Sequence, residues 1–519
     1  MASFRNGILV TFILILCALA LFVISMPSIR VKPIASFATL LGIFVIVLGG
    51  RRIWRLPDRH IVPLILVALL AVPIITTARS FGEFDLFAVL HHLKFGVTGI
   101  DPWMLAHDAQ DALVSCCVLV LSVYWLRNLR QASWYISWLA ALVLALINPL
   151  TVGVLNAAFR PSVASDLVAR MATPSILNLS VKPDVITIYL EGLDRSFSNR
   201  DQYGAAYDGI LALQSEGITM TRVLQSEGTG WSMGGLVAGQ CGLPLLPNGL
   251  LEINDFQEQT HFLGAHRCLS DELADQGYRS AYFVGVNIDF AGQDHFLLTH
   301  QYDDLIYKDI LERWYDRDTF NRATINGILD DQLIFDAALR YYNARVGKSE
   351  PIAMSLFTFG PHGKSGLLSR NCTEDQQAVR ESDLALTVPC TIANLLPFVD
   401  AIKERRDGRP TLIIVQSDHL NHSRYDATEE STLFGANTVI FLGLDLPHFP
   451  TEKVIDRPAS MVDIYPTVLH LLGLGDRDVR AGLGVSLFGV EPTLVEEKGL
   501  DLFNLELTTD YDLRLAIWR

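Results

Sequence analysis

Cysteine and positive charge are both scarce in this sequence. It has seven cysteines in 519 residues and no pair with the Cys-x-x-Cys spacing of a zinc cluster, so a structural zinc site of that kind is not expected. Residues 161–519 carry 29 Lys and Arg against 50 Asp and Glu, which argues against a nucleic-acid-binding surface. An acidic domain that handles an anionic substrate needs a concentrated positive charge, and a bound metal ion would supply it.

Charge of either sign is sparse in the first third of the chain, where apolar runs follow one another. The runs lie at 7–26, 34–50, 61–77, 112–126 and 133–155. Because a spanning helix needs roughly 17–25 residues, the pattern predicts an all-α membrane domain of about five transmembrane helices over residues 1–157. A cleaved signal peptide is the alternative for the first run, but no clear small-x-small site follows its apolar core and four more runs come after it.

The arginines between these runs predict the orientation of the membrane domain. The loop at 51–59 contains four arginines and the loop at 127–130 contains two, so the positive-inside bias places both in the cytoplasm. Five spans then leave the N-terminus in the cytoplasm and the C-terminal portion in the periplasm, outside a bacterial inner membrane. An amphipathic stretch at 162–171 and a polar linker at 173–183 predict a juxtamembrane helix and linker over 158–183.

Residues 184–519 alternate between strand and helix patterns. β-Branched and apolar runs predict strands at 184–190, 279–284, 352–359, 411–416 and 438–442, and helical patterns lie at 201–215, 330–342 and 392–405. Such alternation predicts a C-terminal α/β domain with a mostly parallel sheet covered on both faces. Ligands of such sheets bind beyond the carboxyl ends of the strands, so polar residues that directly follow a strand are candidate site residues.

A hydroxyl stands between two glycines in Gly228-Thr229-Gly230. The glycines allow a sharp turn and a close approach to a bound group. The small, apolar run at 232–241 predicts a buried helix whose N-terminal N–H groups would face an anion held at Thr229. Thr229 is therefore a candidate nucleophile, and a plain turn is the alternative.

Acidic side chains directly follow two of the predicted strands. Glu191 comes after 184–190, and Asp418 and His419 come after 411–416. With the Thr229 oxygen they form a four-ligand set suited to one divalent ion. Mn²⁺ is the preferred ion, and Mg²⁺ and Zn²⁺ are the alternatives. A metal would lower the pKa of a coordinated hydroxyl and activate Thr229 for covalent transfer. A helix cap at Glu191 and ordinary loop polarity at the other two residues are the alternatives.

Four cysteines fall in the portion predicted to lie outside the membrane: Cys241, Cys268, Cys372 and Cys390. In an oxidising compartment they allow three pairings, and the two local ones are favoured, Cys241 with Cys268 and Cys372 with Cys390. Buried free thiols are the alternative.

Several of these stretches resemble the alkaline phosphatase superfamily. They are YLEGLDRSFSN with Glu191, SEGTGWSMGGLVAGQCGLPL with Thr229, VQSDHLNHS with Asp418 and His419, and DIYPTVLHLLG near Asp463. Within it they look like the lipoteichoic acid synthase and phosphoglycerol transferase branch, most specifically the phosphoglycerol transferases of osmoregulated periplasmic glucans. The resemblance covers most of residues 184–488 and implies a sulfatase-like α/β catalytic domain. It also implies that Glu191, Thr229, Asp418 and His419 bind the metal and that Thr229 is the nucleophile.

The resemblance further implies a reaction and additional site residues. Phosphoglycerol would pass from phosphatidylglycerol, a membrane lipid, through Thr229 to a periplasmic glucan. His362, in FTFGPHGKSG, would orient the phosphate or protonate the leaving oxygen. Substrate-binding roles are implied for Asn287, Gln293, Asp294 and Lys364. Gln293 stands where the family tends to have Lys or Arg, and Lys364 stands where a proline is usual, so Lys364 is a candidate replacement for the missing cation.

Other classes of protein remain as alternatives. A sulfatase would need a Cys or Ser nucleophile in a C/S-x-P-x-R motif, and the residues after Thr229 include neither the Pro nor the Arg. A phosphoethanolamine transferase, or another phosphodiester hydrolase or transferase, would use similar metal chemistry and differ in its lipid product. A non-catalytic membrane scaffold or sensor is the alternative of another class, but it has no need of four metal ligands.

Overall fold

The computed structural model describes residues 165–247, 256, 259–363, 366–372, 384–421 and 435–519. All of them belong to the second of the chain's two compact units, Pro161–Arg519. The predicted membrane domain at 1–157 and the predicted substrate-binding residue Lys364 lie outside the described residues.

An eight-stranded sheet forms the centre of this unit. Its strands are β1 (Asp184–Leu190), β2 (Ile218–Met220), β3 (Arg279–Phe283), β4 (Asp304–Ile306), β5 (Ile352–Phe357), β6 (Thr411–Ser417), β7 (Val439–Leu444) and β8 (Val454–Ile455). Their order across the sheet is β8-β2-β7-β6-β1-β5-β3-β4. β7 runs antiparallel to both of its neighbours and the other pairs are parallel, so the prediction of a mostly parallel sheet is confirmed.

The described part of the chain also contains short strand pairs and α-helices. The strand pairs are Val223–Leu224 with Ala459–Ser460, Thr324–Ile325 with Ile328–Leu329, and Arg480–Ala481 with Gly484–Val485. The helices are α1 (Leu167–Arg170), α2 (Arg200–Tyr203), α3 (Asp208–Glu216), α4 (Ser232–Cys241), α5 (Leu269–Asp275), α6 (Gln293–Thr299), α7 (Lys308–Leu311), α8 (Arg317–Ala323), α9 (Asp331–Asn343), α10 (Leu384–Arg405), α11 (Ile464–Leu472), α12 (Leu494–Lys498), α13 (Leu500–Thr509) and α14 (Tyr511–Ile517).

Three helix predictions differ from the structure. The helix predicted at 392–405 begins eight residues earlier, at Leu384. The helix predicted at 201–215 is two helices, α2 and α3, because Gly204 adopts a positive φ of 59° and ends α2. In the stretch predicted as a helix at 162–171, only α1 is helical among the described residues. The linker after it lies on the α/β unit, since Leu177 N donates to Leu474 O at 2.7 Å and Leu179 N donates to Gln276 Oε1 at 3.1 Å.

The sheet is covered on both faces, as predicted. Successive side chains of a strand point to opposite faces, and all seven residues of β1 are buried. Val185 and Tyr189 pack into one apolar core together with residues of α4, α5 and α11. Ile186 and Ile188 pack into a second core with residues of α3, α9 and α10. This burial on both sides explains why the strand sequences are apolar throughout.

One helix of the described residues, α10, is long and apolar enough to cross a membrane by length and composition. It continues through Pro389 and Pro397. Its residues Val388, Leu395 and Val399 are buried in the core shared with α9 and the sheet. α10 is therefore a core helix of the α/β unit.

Candidate active site

The carboxyl ends of β1 and β6 lie side by side in the middle of the sheet. The parallel register pairs Leu190, the last residue of β1, with Ser417, the last residue of β6. Glu191 and Asp418 are the next residues, so the register places both carboxylates at one edge of the sheet. His419 follows, and all three side chains are buried. The structure thus brings together three of the four predicted metal ligands.

The distances within this cluster suit one ion. One ligand atom of each of Glu191, Asp418 and His419 lies within 4.8 Å of the others. His419 Nε2 is 3.3 Å from Glu191 Oε1 and 3.4 Å from Asp418 Oδ2. Ligand atoms about 2.1 Å from a tetrahedrally coordinated ion lie about 3.4 Å apart, so the three groups leave room for an ion between them. The same distances exceed the about 2.7–2.9 Å of a charge-assisted hydrogen bond.

The hydrogen bonds around the cluster also suit a cation. His419 Nδ1 lies 2.7 Å from Leu420 O and donates a hydrogen bond to it, since a carbonyl oxygen can only accept. This bond orients the imidazole ring so that Nε2 faces the two carboxylates. Asp418 Oδ1 accepts from Gly192 N and from His419 N, each at 2.9 Å. Asp418 Oδ2 is buried and makes no hydrogen bond of normal geometry to the described residues, although Ser232 lies close enough to lower the pKa of Asp418. A buried carboxylate oxygen without a partner is costly, and a divalent ion would satisfy it.

The pKa values of the cluster indicate the same demand for positive charge. Burial, and then the charge of Glu191, raise the pKa of Asp418 to about 7. Burial acts to lower the pKa of His419, but the adjacent carboxylates of Asp418 and Glu191 outweigh it and raise that pKa to about 10. The two buried carboxylates repel each other, and a positive charge between them would relieve that repulsion. The residues present fit a single divalent ion.

Ser232, the first residue of α4, contacts the cluster and is absent from the residues predicted from sequence. Its Oγ donates to Glu191 Oε2 at 3.1 Å. α4 comes this close because Gly235 has no side chain, and a Cβ there would lie 1.8 Å from Asp418 O. The small residues at 232–241 predicted that α4 is buried, but they do not show which strand ends α4 contacts.

Thr229 lies in the turn before α4. Gly228 adopts a φ of 77°, which L side chains rarely take, so the glycine is required for this turn. Thr229 is buried, and its Oγ1 donates to Ser226 O at 2.7 Å. Gln225 fastens the turn to the segment that carries the imidazole ligand, because Gln225 Oε1 accepts from Leu420 N at 2.8 Å. The roles of Thr229 as metal ligand and nucleophile stay predictions.

The segment after β5 reaches the same edge of the sheet. Thr358 Oγ1 accepts a hydrogen bond from Glu191 N at 3.1 Å. Asn421 Nδ2 donates to Pro361 O at 3.2 Å, which fastens this segment to the residues after β6. His362 follows Pro361, and its predicted role as acid or phosphate-orienting group stays a prediction. Thr358 and Asn421 escaped the sequence analysis because no local pattern sets them apart from other polar loop residues.

The predicted substrate-binding residues between 287 and 294 follow β3. Gln293 Nε2 donates to Tyr282 OH at 2.8 Å, and Tyr282 is fully buried in β3. Asp294 has its carboxylate 3.7 Å from His295 Nε2, and Asn287 is exposed. The amide of Gln293 is thus held by a buried hydroxyl. Substrate contacts of these residues stay predictions, as does that of Lys364.

Asp463, in the stretch DIYPTVLHLLG, has a structural role. Its Oδ2 accepts from Ser460 N at 2.9 Å and its Oδ1 accepts from Val485 N at 3.0 Å. Burial raises the pKa of Asp463 to about 7, while the two backbone donors act in the opposite direction. Asp463 therefore fastens the segment before α11 to the strand that contains Val485.

Two disulfides join the cysteines in the pairs that the sequence favours, Cys241 with Cys268 and Cys372 with Cys390. The first connects the end of α4 to the residue before α5. His300 lies close enough to Cys241 and Cys268 for a metal group, but sulfurs in a disulfide are not thiolate ligands. His300 Nδ1 is instead 2.8 Å from Asp271 Oδ2.

The chain is thus an α/β protein with a candidate metal centre beyond the central strands of its sheet. The sulfatase family model matches residues 183–474, more than half of the chain. The chain belongs to the sulfatase family, and the resemblance to the alkaline phosphatase superfamily is confirmed at that level.

Named relatives refine the comparison. The chain is 28% identical over 311 residues to phosphoglycerol transferase I of Xanthomonas campestris pv. campestris (strain B100), a match that covers 60% of this chain and 43% of the relative. Phosphoglycerol transferase I of Salmonella typhi is 28% identical over 305 residues, with 58% of this chain and 38% of the relative covered. The matched region therefore spans less than half the length of these relatives.

Solved structures are similar at lower identity. A protein in the alkaline phosphatase superfamily from Vibrio parahaemolyticus gives a TM-score of 0.49 at 16% identity, covering 70% of this chain and 94% of that one. The lipoteichoic acid synthase LtaP from Listeria monocytogenes gives a TM-score of 0.47 at 15% identity, covering 61% of this chain and 78% of that one.

Proposed function

We propose that this protein is a membrane-bound transferase that moves phosphoglycerol from phosphatidylglycerol to a periplasmic glucan through a covalent intermediate on Thr229. The observation that carries the proposal is the buried cluster of Glu191, Asp418 and His419. Gln225, four residues before Thr229, supports it by accepting a hydrogen bond from Leu420 N, next to His419. The similarity to the phosphoglycerol transferases of Xanthomonas and Salmonella supports the choice of transferred group.

Glu191, Asp418 and His419 would hold one divalent ion, Mn²⁺ in preference to Mg²⁺ or Zn²⁺. When bound, the ion supplies positive charge that offsets a phosphate and lowers the pKa of a coordinated hydroxyl. The domain needs such a charge because residues 161–519 are acidic overall. Ser232 keeps the Glu191 carboxylate in one orientation through its hydrogen bond.

The N-terminus of α4 offers a place for the donor phosphate. The N-cap residue of α4, Trp231, makes no side-chain capping hydrogen bond, so the N–H groups of the first turn could face an anion. The helix dipole favours negative charge at the same place. Thr229 precedes α4 by three residues, so a phosphate bound there would lie close to the hydroxyl that attacks it.

The transfer takes place in two half-reactions. In the first, Thr229 Oγ1 forms a bond to the donor phosphorus, and the bond from phosphorus to the diacylglycerol oxygen breaks. In the second, a glucan hydroxyl forms a bond to the same phosphorus, and the bond to Thr229 breaks. The reaction is neither an oxidation nor a hydrolysis, since one phosphodiester replaces another.

Each half-reaction needs a proton transfer. Thr229 releases its proton, which lies in a hydrogen bond to Ser226 O, to solvent water, and diacylglycerol leaves as an alcohol after it gains one. In the second half-reaction the glucan hydroxyl loses a proton, and Thr229 regains one from solvent water. His362 is our candidate for the group that protonates the diacylglycerol oxygen and later accepts the proton of the glucan.

The apolar runs of residues 1–157 would anchor this domain in a bacterial inner membrane, with residues 184–519 in the periplasm. Two disulfides are in keeping with an oxidising compartment. An anchor in the same membrane as the lipid donor raises the effective concentration of that donor at the site.

A labelling experiment tests the proposal. The purified full chain is incubated with Mn²⁺ and phosphatidylglycerol labelled in its headgroup glycerol. We expect label on the peptide that contains Thr229, release of diacylglycerol, and loss of the peptide label when periplasmic glucan is added. Turnover without label on Thr229 would contradict the covalent route. Release of diacylglycerol from phosphatidylethanolamine alone would instead indicate a phosphoethanolamine transferase.

A further inference from the structure

The last two helices of the chain expose apolar side chains on their outer faces. Leu502 and Leu505 of α13 are 44% and 49% exposed, and Tyr511 and Leu515 of α14 are 59% and 40% exposed. Spacings of three and four residues place each pair on one face of its helix. A surface helix normally turns polar residues outward, so these faces indicate a further binding partner.

These helices are fastened to the segment by which the chain enters the α/β unit. Ser165 N donates to Asp510 Oδ2 at 3.3 Å, and the other oxygen of Asp510 caps α14. Arg170 of α1 makes two hydrogen bonds to the carboxylate of Glu497 in α12, at 2.6 and 2.7 Å. The next residue of α12, Lys498, donates to both carboxylate oxygens of Glu506 in α13, at 2.9 and 2.7 Å. The exposed apolar faces therefore belong to the part of the unit where the chain arrives from the predicted spans.

Chain length limits how far this part can be from the bilayer. The last predicted span ends at residue 155, ten residues before Ser165. Ten extended residues reach at most about 35 Å, whereas a compact domain of this length is about 50 Å across. Ser165 therefore stays within about 35 Å of the predicted end of the last span, a distance shorter than the width of the unit.

α13 contacts one side of the turn that carries the candidate nucleophile, and Trp518 reaches the other side through Phe256. Asn504 of α13 accepts a hydrogen bond from Glu227 N at 2.9 Å. Trp518, which follows α14, stacks on Phe256 with ring centroids 5.2 Å apart, and Phe256 stacks on Trp231 at 6.0 Å. Glu227 and Trp231 lie on either side of the Gly-Thr-Gly turn. One side of that turn is therefore bonded to α13, and the other packs through Phe256 on the residue that follows α14.

We propose that the outer faces of α13 and α14 dock into the interface of the glycerophospholipid bilayer and present donor headgroups to the Thr229 turn. This inference rests on the proposed function, which supplies both the membrane and the lipid donor. The exposed charged residues on these helices include Asp501 and Asp512, which anionic lipid would repel. Docking is therefore by insertion of apolar side chains, and a larger fraction of anionic lipid does not strengthen it.

The first measurement detects docking without turnover. Cys17, Cys116 and Cys117 of the full chain are first replaced by serine. A fluorophore is then attached to one new cysteine, introduced as Leu502→Cys, Leu505→Cys, Tyr511→Cys or Leu515→Cys. In vesicles of lipids brominated in their acyl chains, these labels should be quenched at least twofold more than labels at the control sites. The matched controls are Leu211→Cys in α3 and Val454→Cys in β8, which are 39% and 59% exposed.

Two results of this measurement would overturn the inference. One is equal quenching at the four test sites and the two control sites. The other is self-quenching between labelled copies without quenching by brominated lipid, which would assign the faces to a second copy of the chain.

The second measurement connects docking to donor supply. The double variant Leu502→Ser, Leu505→Ser should lower the rate with phosphatidylglycerol in vesicles about tenfold, because two inserted side chains are lost. It should leave the rate with a short-chain donor that is monomeric in water unchanged. The control variant Leu211→Ser, Val454→Ser should change neither rate.

An equal loss with both donors would indicate damage to the site and would count against docking. If the unaltered chain releases diacylglycerol from neither donor, the proposed function fails, while the quenching result still decides whether these faces enter the bilayer.

Discussion

Ser232 Oγ donates a hydrogen bond to Glu191 Oε2 at 3.1 Å, which joins the first residue of α4 to the carboxylate that follows β1. Glu191 Oε1, the other oxygen, is the atom 3.3 Å from His419 Nε2. The two oxygens therefore have separate partners, and rotation of the carboxylate would break the bond to Ser232. The orientation of this candidate ligand thus depends on the position of α4.

Replacement of Ser232 removes this contact and leaves every candidate ligand atom in place. We expect Ser232→Ala to weaken Mn²⁺ binding about tenfold, since loss of a group that orients a ligand typically costs about 10–100-fold in affinity or activity. Ser232→Thr retains a hydroxyl and should restore most of the affinity. Calorimetric titration measures the change, and Ser215→Ala, at an exposed serine of α3, is the control. An unchanged affinity in Ser232→Ala would show that Glu191 keeps its orientation unaided.

Thr229 should be required for turnover and dispensable for folding. We expect Thr229→Ala to lower the rate of diacylglycerol release at least about a thousandfold, because the nucleophile is lost, while the far-ultraviolet circular dichroism is unchanged. Thr229→Ser should retain measurable activity and a labelled intermediate. Thr508→Ala is the control, since that hydroxyl donates within α13. Substantial activity in a folded Thr229→Ala protein would end the covalent mechanism.

The acidic ligands should determine how much metal the protein binds. We expect Glu191→Gln and Asp418→Asn each to lower Mn²⁺ affinity by about tenfold or more, because each removes a charged ligand from a three-residue set. Elemental analysis after dialysis, and the rise in melting temperature on adding Mn²⁺, measure the loss. Asp463→Asn alters a buried carboxylate outside the cluster, so this variant should keep the metal content and the rise in melting temperature of the unaltered chain. Equal metal content in all three variants would make the cluster a purely structural one.

Asp463 should make stability depend on pH. Because its folded-state pKa of about 7 is above the about 3.9 of an exposed aspartate, the folded chain retains a proton between about pH 4 and pH 7 that the unfolded chain has released. The contribution of Asp463 to the free energy of unfolding therefore falls as pH rises through that window. Asp463→Asn removes this titration. In urea unfolding at several pH values, the fall in stability that Asp463 contributes between about pH 4 and pH 7 should therefore be absent from the variant. The same slope in both proteins would contradict the shift.

The predicted membrane topology is open to a reporter test. A reporter that is active only after export should be active at the C-terminus, and a reporter that is active only in the cytoplasm should be active in the loop at 51–59. The positive-inside bias of the arginines in that loop is the physical reason. The opposite pattern at either position would place residues 184–519 in the cytoplasm.

Residues whose role depends on local pattern could be predicted from the sequence. Glu191, Asp418 and His419 were found because each follows a buried strand, and the strand pattern and its end are both visible in a few neighbouring residues. The prediction of one helix at 201–215 was wrong, because Gly204 ends α2. The apolar pattern on either side of Gly204 does not reveal this break.

Residues whose role depends on contacts across the fold could not be predicted. Ser232 meets Glu191 from 41 residues away, and Thr358 meets it from 167 residues away. A serine at the start of a helix and a threonine after a strand are common, and only the packing of α4 and the pairing of β5 with β1 give these two a place beside the ligands. The C-terminal helices are a second example, because the exposure of Leu502 and Leu505 cannot be told from an apolar sequence.

The sequence by itself determined the alternation of strands and helices, the acidic residues after β1 and β6, and the glycine turn at Thr229, because all of these follow from short-range periodicity and backbone sterics. Tertiary structure decided the rest. The register of β1 with β6 placed Glu191 beside Asp418, and the close approach of α4 at Gly235 added Ser232. Both depend on the sum of many weak packing contacts between distant segments, which no single stretch of the sequence contains.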